Sequence, residues 1–182
     1  MIFHRCFAWD RSTATGTEGG ALWFVRAYQG DGRHDNPDAY GCLYLAEQAV
    51  SAVVEQLARF RGSVLVAQVL VRRGLPLALA TIELVGRPRI VDLDEPAVLA
   101  ANALRPSRVA TRRRNLTQPQ ALALYRRGAA GIRWWSTFES LWTNVTVFDH
   151  VADRLRVGEL RHLGVDDPTV REAAEVLGLA PA

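Results

Sequence analysis

The stretch GRHDNPDAYGCLYLAEQAVSAVVE, residues 32–55, decides how this chain folds. It opens with turn-forming residues, continues as a short apolar strand over residues 41–46, and passes directly into a segment with helical spacing. The apolar positions at i, i+3, i+4 and i+7 of that segment are Val50, Val53, Val54 and Leu57. This spacing predicts an amphipathic helix that ends near Gly62. The stretch is therefore a loop, strand and helix unit.

The rest of the chain adds further strands and helices around this unit. Strands are predicted over residues 2–8, 64–71, 77–84, 89–93, 131–136, 143–148 and 154–160. Helices are predicted over residues 95–104, 120–127 and 168–177. Residues 105–120 are predicted to be a polar, arginine-rich connection. Because strands and helices do not alternate regularly, the pattern favours the α+β class. The length of 182 residues favours a single compact domain, residues 1–182.

All 22 positive residues are arginines, and the formal net charge is +3. A coding bias explains the lack of lysine, whereas arginine forks also suit an anionic ligand or partner, and the sequence leaves both explanations open. Arg112, Arg113 and Arg114 form the densest run. The expected meaning of such a run is a solvated connection or a contact with an acidic partner, since no aromatic residues interleave it as in nucleic-acid binding.

Several functional classes are disfavoured by what the sequence lacks. Cys6 and Cys42 are too few and too far apart for a disulfide framework or a four-ligand zinc site, so we expect two core thiols in a reducing compartment. The four histidines share no ligand spacing, and we expect no metal. Neither a Walker A motif nor a Rossmann glycine fingerprint occurs. No apolar run is long enough to span a membrane, so we expect a cytoplasmic protein.

The stretch 32–55 resembles the core of RES domains, in which a Gly-Arg pair and an Asn-Pro or Ser-Pro turn precede a YLA-type strand and a helix bearing a glutamate. The similarity continues through VDLDEP, LRPSRVATR and TQPQALALYRRGAAGIRWWS, so it covers residues 3–149. Residues 150–182 would complete the domain with a strand and a helix. The turn departs from the usual Ser-Pro-Gly form: Asp35 and Asp38 flank Asn36 and Pro37, which predicts altered substrate entry or acceptor choice.

The resemblance implies a fold like that of ADP-ribosyltransferases, with a mixed central sheet and flanking helices. It implies an enzyme that binds NAD+ as substrate and breaks the nicotinamide–ribose bond, with phosphate or water as acceptor, and that acts as the toxin of a toxin–antitoxin pair. The implied partner is an antitoxin with a helix-turn-helix-like domain, and a homodimer is left open. The alternatives are a protein ADP-ribosyltransferase and a catalytically silent partner-binding module; direct nucleic-acid or membrane binding is not expected.

The same resemblance implies the site residues. The family's namesake arginine, glutamate and serine correspond to Arg33, Glu55 and Ser136, and Arg5 lies where such domains carry a further arginine. Arg33 would hold the pyrophosphate through paired charge-assisted hydrogen bonds. Glu55 would stabilise the oxocarbenium character at the ribose, with Ser136 bonding a ribose or phosphate oxygen. Tyr44 would stack on the cationic nicotinamide.

The residues also permit a structural explanation at each of these positions. Glu55 projects away from the valine stripe of its helix, as a solvated glutamate would and as a glutamate facing a wet cleft would. Arg33 is equally compatible with an exposed loop, and Tyr44 with an ordinary core. A serine nucleophile is disfavoured at Ser136, because no histidine is placed in sequence to activate it.

Overall fold

The computed structural model describes residues 1–109 and 111–182. Its strands are β1 Ile2–Ala8, β2 Cys42–Ala46, β3 Val64–Leu65, β4 Val71–Arg72, β5 Leu75–Leu84, β6 Ile90–Asp92, β7 Gly131–Trp135, β8 Thr143–Phe148, β9 Leu155–His162 and β10 Ala180–Pro181. Its α-helices are α1 Ala49–Leu57, α2 Pro96–Ala101, α3 Pro106–Val109, α4 Arg114–Arg126 and α5 Pro168–Leu177. The predicted α+β class is confirmed.

The chain divides into two compact units. The first consists of Met1–Trp23, Ala46–Leu84 and Arg156–Ala182. The second consists of Phe24–Leu45 and Val85–Leu155. Each is described by itself below, and the single domain over residues 1–182 stays a prediction.

The first unit is organised around β5, its longest strand. β5 pairs antiparallel with β1 over seven positions, from Ile2 opposite Glu83 to Ala8 opposite Leu77. β4 and β9 also pair with β5, and the end of β2 joins β1 where Ala46 lies opposite His4. The centre of β5 is buried at four consecutive positions, because it is covered on both faces.

Two amphipathic helices, α1 and α5, complete the first unit. The predicted stripe of α1 is fully buried and Glu55 is exposed, as helical spacing requires. α5 begins at Pro168, and the Asp167 carboxylate caps it by accepting from the Thr169 backbone N–H at 2.9 Å. It ends at Gly178, whose φ of 63° is the left-handed conformation that glycine favours after a helix. The predicted bounds of this helix are confirmed.

The second unit carries the mixed part of the sheet. β2, β8, β7 and β6 lie side by side in that order. β7 pairs antiparallel with β8, where Gly131 lies opposite Val147, and parallel with β6, where Gly131 lies opposite Ile90. Every residue of β8 is buried. Its position inside the sheet explains why that strand reads as a continuous run of uncharged residues.

A core cluster packs α2, α3 and α4 against this sheet. Its largest buried members are Tyr40, Trp134 and Phe148, with Leu99, Val109 and Leu124 supplied by the helices. Tyr40 and Phe148 have ring centroids 4.5 Å apart, a favourable separation for tilted rings. This core holds the C-terminal end of β7 in a fixed position relative to α4.

Two sequence expectations were wrong. Residues 64–71 do not form one strand: β3 is followed by a 3₁₀ turn over Ala67–Leu70 that buries the adjacent Val69 and Leu70, which a strand would send to opposite faces. A continuous apolar run does not distinguish these alternatives. Residues 105–120 contain α3 and the first half of α4 rather than a connection. α4 tolerates Pro119 inside it because Thr117, Ala121 and Leu124 bury its inner face.

Candidate functional site

Arg33 lies in the loop before β2, and its side chain is fixed by main-chain carbonyls far away in sequence. Its Nη1 donates to the carbonyl of Val109 at 2.8 Å and to that of Thr111 at 2.5 Å. The guanidinium lies over the indole of Trp134, 4.5 Å from the ring centroid, which is a favourable cation–π distance. The half-buried positive charge is therefore held in one orientation on an aromatic platform.

His34, the next residue, is buried between two aromatic rings. It is stacked with Tyr44 at 6.4 Å between centroids and meets Trp134 edge to face at 5.5 Å. Its Nδ1 is hydrogen bonded to the Thr146 hydroxyl at 2.8 Å, and that hydroxyl accepts from the Trp134 indole N–H at 3.2 Å. Burial, with a contribution from the Arg33 charge, lowers the pKa of His34 to about 3. The imidazole is neutral at physiological pH and acts as an aromatic wall.

Asp35 organises the loop from inside. Its buried carboxylate accepts from the backbone N–H groups of Gly30 at 2.9 Å and Gly32 at 2.6 Å, and from the Tyr44 hydroxyl at 2.7 Å. The Cys42 thiol also donates to it, at 3.5 Å. The Asp35 carboxylate is buried, whereas Asp38 is exposed, and an effect of this turn on substrate entry or acceptor choice stays a prediction.

Tyr44 is placed by the same group. Its hydroxyl donates to Asp35 and accepts from the His34 backbone N–H at 2.9 Å. Burial raises the pKa of this hydroxyl well above its ordinary value. Both hydrogen bonds of the hydroxyl are therefore made within the loop, and the stacking role expected for the Tyr44 ring stays a prediction.

The N-terminal half of α4 holds the loop from the other side. The Gln118 side-chain amide donates to the carbonyls of Gly30 at 2.8 Å and Gly32 at 3.0 Å. The Thr117 hydroxyl donates to the carbonyl of Arg33 at 2.5 Å, and Arg114 donates to the carbonyl of Asp31 at 2.7 Å. These bonds join residues more than 80 positions apart, so the loop geometry depends on tertiary structure.

Gly32 is the position where the loop tolerates no side chain. A Cβ there would lie 2.4 Å from both the Asp35 carboxylate and the Tyr44 hydroxyl, whereas a Cβ at Gly30 would meet nothing within 4 Å. We expect Gly32→Ala to break the Asp35 network and to lower the free energy of unfolding by about 3 kcal/mol. Gly30→Ala, the matched control, should change it by less than about 0.5 kcal/mol. Urea unfolding measures both; equal effects would contradict the proposed packing at Gly32.

Ser136 follows β7 and is buried in a tight turn. Its backbone N–H donates to the carbonyl of Trp142 at 2.7 Å, which extends the β7–β8 ladder by one step, and its hydroxyl accepts from the Phe138 N–H at 3.1 Å. Because side chains two apart on an extended chain share a face, Ser136 lies on the face of Trp134. Arg33, Tyr44 and Ser136 thus all lie in the second unit. Arg33 contacts Trp134, Tyr44 is linked to Trp134 by the ring of His34, and Ser136 shares the strand face of Trp134.

The other two predicted site residues, Glu55 and Arg5, lie in the first unit. Glu55 is exposed on α1. Arg5, on β1, donates to the carbonyl of Ala21 and, at 3.4 Å, to that of Trp23. Its guanidinium also lies 5.0 Å from the centroid of the Phe7 ring. Arg5 therefore fixes the main chain at residues 21–23, where the first segment of the first unit ends. Convergence of Glu55 and Arg5 with the other three residues on one hollow stays a prediction.

Sequence reasoning missed His34, Asp35, Trp134 and Thr146 as parts of the site. Trp134 carried a usable signal, because it stands two positions before Ser136 on a predicted strand. His34 and Asp35 carried none, since polar residues in a turn are expected to face solvent. Cys6 and Cys42 are both free and buried, as expected for core thiols, and burial raises the pKa of Cys6 to about 12.

No cluster of three or more histidine, cysteine, aspartate or glutamate side chains within residues 1–109 and 111–182 is suited to holding a metal ion. None of the helices in that part of the chain has the length and hydropathy needed to cross a bilayer.

The structure is similar to a chain in the crystal structure of the M. tuberculosis MbcT–MbcA toxin–antitoxin complex, with a TM-score of 0.65 and 18% sequence identity. That match covers 97% of this chain and 88% of the other, which shows a common fold. No curated protein sequence matches. The sequence model of the RES domain matches residues 4–166. Since this match spans most of the 182 residues, the chain belongs to the RES domain family.

Proposed function

We propose that this protein is a RES-domain toxin that cleaves the nicotinamide–ribose bond of NAD+ and passes the ADP-ribosyl group to phosphate. The observation that carries the proposal is the Arg33 side chain, held on the Trp134 indole beside the buried ring of His34 and the partly buried ring of Tyr44. A fixed guanidinium next to an aromatic wall is the pairing that a dinucleotide requires, because it combines pyrophosphate charge with flat rings.

Each residue has a role that follows from its chemistry. Arg33 would bind the pyrophosphate, and the Tyr44 ring would contact the nicotinamide, whose positive charge favours an aromatic face. Ser136 would bond a ribose or phosphate oxygen near the end of β7, and Arg5 would add positive charge on the NAD+ side. Glu55 would face the reacting ribose as an ionised carboxylate. The neutral state of His34 matters here, because a second positive charge beside Arg33 would repel the nicotinamide ring.

The reaction breaks one bond and forms one. The bond between the anomeric carbon and the nicotinamide nitrogen breaks, and its electron pair leaves with nicotinamide as the neutral product. The positive character left on the ribose is stabilised by the Glu55 carboxylate. An oxygen of phosphate then bonds to the anomeric carbon. No residue of the chain needs to form a covalent intermediate, in agreement with the lack of an activated nucleophile at Ser136.

Incubation of purified protein with NAD+ tests this proposal, with free nicotinamide measured in the presence and absence of phosphate. We expect release that depends on phosphate and a phosphorylated ADP-ribose as the second product, identified by its mass. Release without phosphate indicates hydrolysis, and label from NAD+ on protein indicates ADP-ribosyl transfer to a macromolecule. Folded protein that releases no nicotinamide under any of these conditions contradicts the enzyme and favours a silent binding module.

The toxin role is supported by the fold shared with a chain of the M. tuberculosis MbcT–MbcA toxin–antitoxin complex. We propose that a cognate antitoxin with a helix-turn-helix-like domain silences the enzyme. Expression of the chain alone should therefore stop growth and lower cellular NAD+, and co-expression of its cognate antitoxin should restore both. Growth that is unaffected by an enzyme active in vitro contradicts the toxin role while leaving the chemistry in place.

A further inference from the structure

The second unit carries a strongly asymmetric charge. Residues 96–138 contain eight arginines and no aspartate or glutamate, whereas the remaining fourteen arginines share the chain with all nineteen acidic residues. Seven of the eight are exposed: Arg105, Arg108, Arg112, Arg113, Arg114, Arg126 and Arg127. In residues 1–109 and 111–182, none of these seven forms an ion pair with a carboxylate. The surface around α3 and α4 thus presents uncompensated positive charge.

A groove of about 280 Å³ lies within this surface. One wall is a stripe of side chains at helical spacing along α4 and its C-cap residue. Its members are Leu116, Pro119, Gln120, Ala123 and Arg127. The opposite side is formed by Asn102 and Leu104, which follow α2, and by Arg108, which belongs to α3. The groove shares no residue with Arg33, Tyr44, Ser136 or the loop that holds them. The groove is therefore separate from the residues proposed to bind NAD+.

The lining of the groove has two parts with different chemistry. Three leucines line its apolar part, here called the floor: Leu104 and Leu116 from the two sides, and the buried Leu124. Arg127 stands at the C-terminal end of α4, where its Nη1 donates to the Asn102 side-chain oxygen at 3.0 Å. Arg108 adds a second exposed guanidinium. An apolar floor with guanidinium and amide groups at its rim suits a short peptide, whose side chain fills the floor and whose backbone meets the amides.

We propose that this groove docks an acidic segment of a partner protein, in extended conformation, with an apolar side chain between two carboxylates. The wall from Leu116 to Arg127 rises about 16 Å along the helix, which matches roughly five residues of extended chain. A nucleic acid is disfavoured because an apolar floor of this size offers nothing to a phosphate backbone, and no aromatic side chain lines it for base stacking.

A charge-swap experiment tests the proposal. The probe is a fluorescein-labelled peptide with the core Glu-Ala-Leu-Ala-Glu between Gly-Ser flanks, compared with a Lys-Ala-Leu-Ala-Lys version by fluorescence anisotropy at low salt. We expect the wild-type chain to prefer the glutamate peptide at least tenfold. The double variant Arg108→Glu, Arg127→Glu should reverse that preference. The matched control, Arg11→Glu with Arg61→Glu, changes two exposed arginines of the first unit and should retain it.

A second double variant, a second peptide and a DNA competitor complete the experiment. Arg108→Gln with Arg127→Gln should lose the preference without reversing it, which covers the case in which the glutamate variant does not fold. A Glu-Ala-Ser-Ala-Glu peptide should bind at least fivefold more weakly than the leucine version, because it leaves the floor empty. Equal binding of the two overturns the groove in favour of general charge attraction. Equal loss in the first-unit control overturns the location, and displacement of the peptide by a 20-base-pair duplex at equal concentration overturns the peptide in favour of nucleic acid.

Discussion

Replacement of Glu55 by glutamine should reduce nicotinamide release about 100-fold or more and leave the fold intact. The proposed reaction develops positive charge on the ribose, and removal of one preorganised electrostatic stabiliser costs about 10² to 10³ in kcat. Glutamine keeps the size and the hydrogen-bonding capacity of the side chain but removes its charge. The loss should therefore appear in kcat rather than in KM, because the carboxylate acts on charge that develops in the transition state.

The matched control for this prediction is Glu175→Gln. Glu175 is an exposed glutamate of α5, in the same unit as Glu55, and nothing connects it with the predicted site. Both variants should unfold within about 0.5 kcal/mol of the wild type, since both side chains lie on exposed helix faces. Glu55→Gln with kcat within threefold of the wild type would remove Glu55 from the mechanism, and a similar loss in both variants would point to an effect of charge in general.

The second large effect concerns acid stability and arises from His34. Burial lowers the pKa of this imidazole to about 3 in the folded chain, whereas its pKa in the unfolded chain is the ordinary histidine value of 6.5. Between these pH values the unfolded state binds a proton that the folded state does not, so the free energy of unfolding falls as the pH falls. Full stability is present above about pH 6.5, and the loss on reaching pH 3 is on the order of 5 kcal/mol.

Urea unfolding at pH 7, 6, 5 and 4 measures this effect. In His34→Asn the group that titrates is gone while a polar atom remains near Thr146, so the variant should lose less stability on acidification than the wild type does. The control, His150→Asn, removes an exposed imidazole of the same unit and should keep the wild-type pH dependence. Parallel curves for wild type and His34→Asn would show that the buried imidazole is not the source of acid sensitivity.

Much of the secondary structure was predictable because it follows from local patterns. The valine stripe of α1 and the bounds of α5, residues 168–177, follow from short-range signals, and both appear in the structure as expected. α4 was predicted too short because its first turns are polar, and their helical state depends on Thr117 being buried against the Arg33 loop. Periodicity does not show a contact of that kind.

The sequence by itself determined the family, the α+β class and which residue types are candidates for the site. It determined these because spacing and motif order are properties of neighbouring residues. Only the tertiary structure decided where the polar side chains of the loop point: Arg33 onto Trp134 and the carbonyls of Val109 and Thr111, Asp35 inward, and His34 into a buried wall. The physical reason is that the destination of a polar group is set by the partners brought to it, and the hydrogen-bond partners of the Arg33 and His34 side chains lie about 75 to 110 residues away.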